Sequence, residues 1–214
     1  MSKPLIITDC DEVLLHMAAP FRDWLGETQG ISFSMAGGDF SNAMTRTADG
    51  SLVAVADMWP LLNLFFDSEM HRQLPIPGAV AALEQLAERA DIVVLTNLLD
   101  HRKEPRTQQL ATHGINFRVY TNQGPKGPAL NAILDEFRPS RAIFIDDLAQ
   151  HHGSVMELAP HVKRLHLCGE PQLAPHIACA HAAGHADARI DDWALALPWL
   201  LDQLTAETEQ PEGL

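Results

Sequence analysis

The chain contains an apolar run that ends in two carboxylates one residue apart, Leu5-Ile6-Ile7-Thr8-Asp9-Cys10-Asp11-Glu12-Val13-Leu14. A continuous apolar run that delivers acids at its end reads as a strand buried on both faces, the kind found in parallel sheets. Open α/β sheets keep their ligands in the crevice at the carboxyl ends of the strands, so Asp9 and Asp11 are candidates for chemistry. Three later segments lead to the same edge. Ile92-Val93-Val94-Leu95 runs into Thr96-Asn97, Lys126 opens a helix after the Gly124-Pro125 turn, and Ala142-Ile143-Phe144-Ile145 runs into Asp146-Asp147. One sheet edge would then carry two carboxylates, a hydroxyl, an ammonium and two more carboxylates, a set suited to magnesium and phosphate.

The spacing predicts strands over 91–96, 115–120, 141–146 and 162–167, alternating with helices over 79–90, 102–113, 127–137 and 149–159. A strand near 188–191 and a helix over 193–204 close the series. Alternation of this kind predicts an α/β fold, a three-layer doubly wound parallel sheet with helices on both faces. A βαβ unit needs only about 30 residues, and the distance from Asp11 to the next strand at Asp91 is far longer, so a segment has been inserted. Pro75-Ile76-Pro77-Gly78 marks its end. The expected organisation is a core of residues 1–15 and 75–204, a small, mainly helical cap over 16–74, and a flexible acidic tail over 205–214. Within the cap, Phe21, Trp24 and Leu25 mark a helix over 18–29 that stops at Gly30. Asp49-Gly50 marks a hairpin between 45–47 and 52–55. A helix from Trp59 to Leu74 has Pro60 near its start.

The formal net charge of -13, without a basic run, argues against a protein that grips nucleic acid by releasing counterions. A small anion stays within reach, because a metal ion and one lysine reverse the local field. Cys10, Cys168 and Cys179 are too few for a disulfide framework, and no stretch has the roughly 18 to 20 apolar residues that cross a bilayer. A cytoplasmic location without membrane attachment is expected, and the sequence sets no oligomeric state.

The ordered set Asp9-Cys10-Asp11-Glu12-Val13, Thr96-Asn97, Lys126 and Asp146-Asp147 resembles the four motifs of the haloacid dehalogenase superfamily, in its phosphatase form. The resemblance runs from Leu5 to Ile145 and beyond and includes the position of the insertion. Each motif alone is weak; four in order at strand ends are specific. The resemblance implies that Asp9 is the nucleophile, esterified and later released by water. It implies that Asp11 protonates the leaving alkoxide and then serves as base. Oxygen-only ligands favour magnesium, held by the Asp9 carboxylate, the Asp11 carbonyl and Asp146, with Asp147 close by. Thr96, with Asn97, would bind the phosphoryl group, and Lys126 would neutralise charge on it and on Asp9. The implied substrate is a small phosphorylated metabolite. The chain departs from the common phosphatase pattern at Glu12-Val13, where that pattern has Gly-Thr or a close variant.

Single residues of this set have ordinary readings as caps, turns and solvated lysines, and it is their order that capping does not predict. Dehalogenases of the superfamily lack the second acid, so Asp11 favours phosphate ester hydrolysis. Other readings are a dehalogenase, a phosphonatase-like hydrolase or a catalytically inactive relative that binds a ligand. A phosphoacceptor receiver domain places its lysine last, whereas Lys126 precedes Asp146. His166, Cys168, His176, Cys179, His181 and His185 match no paired-cysteine metal spacing and read as separate cysteines among surface histidines. His151 and His152 read as exposed, with His151 able to line a pocket rim. His16 and Arg46 are candidate specificity contacts, with Arg72 beside them; Trp24 and Trp59 read as cap packing.

Overall fold

The computed structural model describes residues 2–36 and 42–205. Its sheet has six strands: β1 (Leu5–Thr8), β4 (Asp91–Thr96), β5 (Arg118–Thr121), β6 (Ala142–Asp146), β7 (Lys163–His166) and β8 (Ala188–Arg189). They lie in the order β5-β4-β1-β6-β7-β8, and every neighbouring pair is parallel. The chain winds outward from β1 through β4 to β5, then returns to the other side of β1 for β6 to β8. That reversal places the crevice at the carboxyl end of β1, between β4 and β6.

The central strand is buried on both faces because its alternate side chains serve different layers. Leu5 and Ile7 join Val93, Leu95 and Phe144 against α5 (Gly127–Phe137) and α6 (Ala149–Leu158). Ile6 joins Val94, Ile143 and Ile145 against α3 (Ala79–Ala87) and α7 (Trp193–Thr205), with Leu110 of α4 (Lys103–Thr112) in the same cluster. Each fully buried aliphatic side chain contributes about 1.5–3 kcal/mol relative to exposure. A polar residue in place of Leu5, Ile6 or Ile7 would therefore lose that contribution in the layer its side chain serves. The three-layer α/β architecture is as the alternation predicts. Thr205 belongs to α7, and the remainder of the expected tail lies outside the described residues.

The segment between β1 and α3 has its own apolar cluster, built from α1 (Ala18–Trp24), β2 (Ile31–Phe33), β3 (Met44–Arg46) and α2 (Val55–Ser68). Phe21 is its centre, with ring centroids 6.0 Å from Trp24, 5.8 Å from Phe33 and 5.3 Å from Phe65. The two connections to the sheet run side by side: His16 N–H donates to Leu74 O at 2.9 Å and Ile76 N–H to Leu14 O at 2.8 Å.

One local expectation needs extending and another needs correction. The Asp49-Gly50 turn forms, with Gly50 at φ 71° donating its N–H to Arg46 O at 2.9 Å. The 52–55 stretch pairs with β3 as expected, through the Thr45–Leu52 bridge, Arg46 N–H to Ser51 O at 2.8 Å and Val53 N–H to Met44 O at 2.9 Å. What the expectation lacked is the antiparallel ladder of β3 with β2. Turn residues fix where the chain reverses, while the extent of pairing depends on which apolar side chains reach the cap core. The following helix starts at Val55, so Pro60 lies inside it. A proline in the second turn lacks only one ladder donor, and Met58, Phe65 and Phe66 bury enough surface to hold the extra turn.

Candidate active site

Asp9 extends the β1 ladder by one residue, donating its N–H to Ile145 O at 2.8 Å, while Asp146 ends β6. The acids that follow two adjacent parallel strands are thereby brought to one point. Lys126, the residue that precedes the first turn of α5, enters the same point from below: its Nζ is 2.7 Å from Asp9 Oδ1 and 2.7 Å from Asp146 Oδ2. The lysine is wholly buried, and α5 can approach closely because residue 127 is glycine. A Cβ there would lie 2.5 Å from Ser154 O on α6. Leu148 N–H donates to Asp146 Oδ1 at 2.9 Å, fixing the carboxylate plane.

Burial pushes the Asp9 carboxyl up to about 7; Lys126 opposes the rise, and the charges of Asp146 and Asp11 add to it. Asp147 is raised well above the usual range by burial and then by Asp146 and Asp9. For Asp146, burial is the largest influence and would raise the carboxyl, but Lys126, His151 and His152 together lower it. Burial would lower the Lys126 ammonium, but Asp146 and Asp9 raise it, so it stays charged. Ligand atoms of Asp9, Asp146 and Asp147 all lie within 4.8 Å of one another. Beyond burial, neighbouring carboxylates raise Asp9 and Asp147, a negative field that a cation would relieve, and an all-oxygen donor set fits a hard dication such as magnesium. Thr96 closes β4 with its Oγ1 buried and without a hydrogen-bond partner, a donor free for an incoming oxygen.

Asp11 takes a different environment from its neighbour. Arg106, wholly buried on α4, places Nη2 3.0 and 3.2 Å from the two Asp11 oxygens and Nη1 3.2 Å from Cys10 Sγ. Gln73, at the cap's return connection, donates Nε2 to Asp11 Oδ1 at 2.7 Å and to His16 O at 3.3 Å. Neither Arg106 nor Gln73 carries a local sequence signal, since each reaches Asp11 across more than 60 positions. Glu12 sits at φ 61°, a conformation glycine takes without cost, which gives a physical reason for glycine in the motif that this segment resembles. Its Oε1 accepts the N–H groups of Met17 at 2.9 Å and Ala18 at 2.5 Å at the start of α1.

The remaining candidates divide. Asn97 is exposed and braces the loops, donating to Gly124 O at 2.9 Å and accepting from Asn122 Nδ2 at 2.8 Å. His16 pairs with Glu170 at 3.1 Å. Arg46 lies half-exposed, 3.8 Å from Asp57, and Arg72 pairs with Glu27 and Glu69. Trp24 is buried in the cap core, but Trp59 is 61% exposed and lines a cavity of about 500 Å³ between α2 and the loops after β4 and β5. The expectation of exposed histidines is corrected: His151 and His152 are buried, as are His166 and Cys168. His151 lines the cavity with its Nε2 3.4 Å from Asn97 Nδ2, and His152 Nε2 lies 3.0 Å from Asp146 O. The polar composition of α6 hides this, because its imidazoles fill space at the sheet edge that apolar side chains fill elsewhere.

The fold is that of haloacid dehalogenase-like hydrolases. A conserved haloacid dehalogenase-like protein of unknown function from Agrobacterium tumefaciens is 20% identical with a TM-score of 0.66, covering 94% of this chain and 99% of its own. A haloacid dehalogenase-like family hydrolase from Streptococcus pneumoniae is 13% identical with a TM-score of 0.63, covering 92% and 97%. A predicted phosphoglycolate phosphatase from Haemophilus somnus is 15% identical with a TM-score of 0.60, covering 92% and 97%. No protein-family model and no curated protein matches the sequence. Among the described residues no helix is long and apolar enough to cross a membrane.

Proposed function

We propose that this chain is a phosphatase that hydrolyses a small phosphate monoester through an aspartyl-phosphate on Asp9, with magnesium as its metal. The observation that carries the reading is the buried contact of Lys126 Nζ with both Asp9 and Asp146 at 2.7 Å, beside the unpartnered Thr96 hydroxyl. Asp9, Asp146 and Asp147 would hold the dication, which supplies charge neutralisation for an incoming phosphate.

The chain's own groups provide the rest. Lys126 holds Asp9 in position and offers positive charge to the transferring phosphoryl group, while Thr96 donates a hydrogen bond to one of its oxygens. The Asp9 carboxylate attacks phosphorus, and the bond to the ester oxygen breaks. That oxygen takes a proton from Asp11, which then receives one from the water that hydrolyses the acyl phosphate. Asp11 reaches these positions by leaving one of its contacts with Arg106 and Gln73, both of which lie beside the cap connections.

The cavity reaches the site side through Asn97, the residue after Thr96, and its mixed apolar and amide lining suits an uncharged leaving group. Trp59, Leu62, Phe66 and Leu98 line it, and its one arginine among the described lining residues, Arg102, is committed to Asp67 and Asn63 at 2.6–3.2 Å. The test is phosphate release from a panel of small esters, with and without magnesium, by the native chain and by Asp9→Asn. Magnesium-dependent release that is lost in the variant is expected. A folded chain that binds magnesium yet turns over no ester would shift the reading to another hydrolase of this fold or to a ligand-binding relative.

A further inference from the structure

We propose that Glu12, His16 and Glu170 form a second metal site, separate from the Asp9-Asp146-Asp147 cluster, that takes a borderline dication of the zinc class and fastens the cap connection to the core. Each of the three offers a ligand atom, and these atoms all lie within 4.8 Å of one another. Glu12 is 2% and Glu170 4% exposed, and His16 Nδ1 is 3.1 Å from Glu170 Oε2.

The second observation is an orphaned ligand atom. Glu12 spends Oε1 on the backbone of Met17 and Ala18, while its Oε2 is buried and has no hydrogen-bond partner. A buried polar atom left without a partner is costly, and Glu12 Oε2 faces the His16 and Glu170 side chains with nothing to accept from. A dication at this point would give Glu12 Oε2 a partner and balance Glu170. The donor set decides the metal: one imidazole nitrogen with carboxylate oxygens suits zinc, whereas the all-oxygen cluster on Asp9 suits magnesium.

The placement gives the site a structural task. Glu12 and His16 lie on the connection that leads from β1 into α1, and Glu170 lies on the loop after β7. That loop already meets the connection through Gly169 N–H, which donates to Glu12 O at 2.6 Å. A metal bound across the three side chains would hold this first connection against the sheet edge, and with it the second, whose Gln73 donates to His16 O at 3.3 Å. The site does not depend on the phosphatase reading.

The experiment uses the full chain, stripped with chelator and returned to excess magnesium so that the Asp9 cluster is occupied. Zinc is titrated calorimetrically, and the melting temperature is followed with and without it. A single zinc equivalent that raises the melting temperature is expected. His16→Ala and Glu170→Gln should each weaken binding by more than the roughly 10–100-fold that outer partners of a metal carry. Asp146→Asn should leave it unchanged. Cobalt in place of zinc should bind without a thiolate charge-transfer band, which separates this site from Cys168 and Cys179. Absence of a zinc equivalent, binding by either His16→Ala or Glu170→Gln as tight as that of the native chain, loss in Asp146→Asn, or a thiolate band would each overturn the proposal. Far-ultraviolet circular dichroism of the zinc-free variants shows whether a loss reflects binding or folding.

Discussion

Arg106 Nη2 bridges both carboxylate oxygens of Asp11, at 3.0 and 3.2 Å, from a guanidinium wholly buried on α4. The pair joins the helix after β4 to the acid after β1, and it is asymmetric. Asp11 keeps 17% of its side-chain surface in solvent, whereas Arg106 keeps none. Removing the acid therefore strands a charge that cannot be hydrated, while removing the arginine leaves an acid that can. Asp11→Ala is expected to cost about 3–5 kcal/mol, more than Arg106→Met, with the double variant recovering much of the loss. Urea unfolding of the single and double variants checks this, and simple additivity of the two costs would contradict it.

A proton competes with metal at Asp9. With its carboxyl pushed up to about 7 by burial, the metal-free chain holds a proton there at lower pH, and metal binding must displace it. Apparent magnesium affinity should therefore strengthen by at least about tenfold per pH unit below 7, with the raised Asp147 carboxyl adding to the rise. Calorimetric titration across pH 5.5 to about 8.5 tests the slope, and a flat affinity over that range would show that Asp9 is already ionised.

His166 should make the fold sensitive to acid. It is buried, its Nδ1 accepts Ala180 N–H at 2.9 Å, and burial, followed by His152 and Arg189, lowers its pKa to about 4. The unfolded chain has the ordinary value near 6.5, so on acidification it takes up this proton before the folded chain does. The stability contribution is complete above pH 6.5 and is lost as pH falls toward about 4, by an amount on the order of 3 kcal/mol. Unfolding free energies measured through this window should show the slope, and His166→Gln should reduce it, with His151 and His152, also lowered by burial, keeping the rest. A variant as pH-dependent as the native chain would assign the effect to other groups.

Gly127→Ala should both destabilise the chain and disturb the site. Its new Cβ would lie 2.5 Å from the Ser154 carbonyl oxygen, a backbone atom that cannot rotate away. Overpacking of this kind costs about 1–3 kcal/mol, and the shift of α5 would carry Lys126 from Asp9 and Asp146. A lowered melting temperature together with weakened magnesium binding is expected. Loss of stability alone would show that α5 yields at its far end.

The arrangement of the site was legible where it depends on strand ends. Apolar runs at 5–8, 92–95 and 142–145 fix which residues come next, so Asp9, Thr96 and Asp146 meet because β1, β4 and β6 are neighbours. Glycine and proline before Lys126 fix the start of α5 in the same way. Arg106, Gln73 and Glu170 carried no such mark. Their partners lie 95, 62 and 154 positions away, and only the packed chain brings them together. Burial of His151 and His152 was hidden for a related reason: α6 is polar by composition, and His152 packs on Phe144 and His166 of the sheet, with ring centroids 5.3 and 5.4 Å away. The hairpin around Asp49-Gly50 was legible from its turn residues, whereas the pairing of β3 with β2 was not, because no two-residue turn signal joins those two strands.

Borohydride trapping during turnover tests the central claim most directly. Reduction of an acyl phosphate on an aspartate yields homoserine, which peptide mass spectrometry locates. The account predicts homoserine at position 9 alone, formed only when both phosphate ester and magnesium are present and absent from Asp9→Asn. Sustained phosphate release with an unmodified Asp9, or a trapped residue at another position, would contradict it.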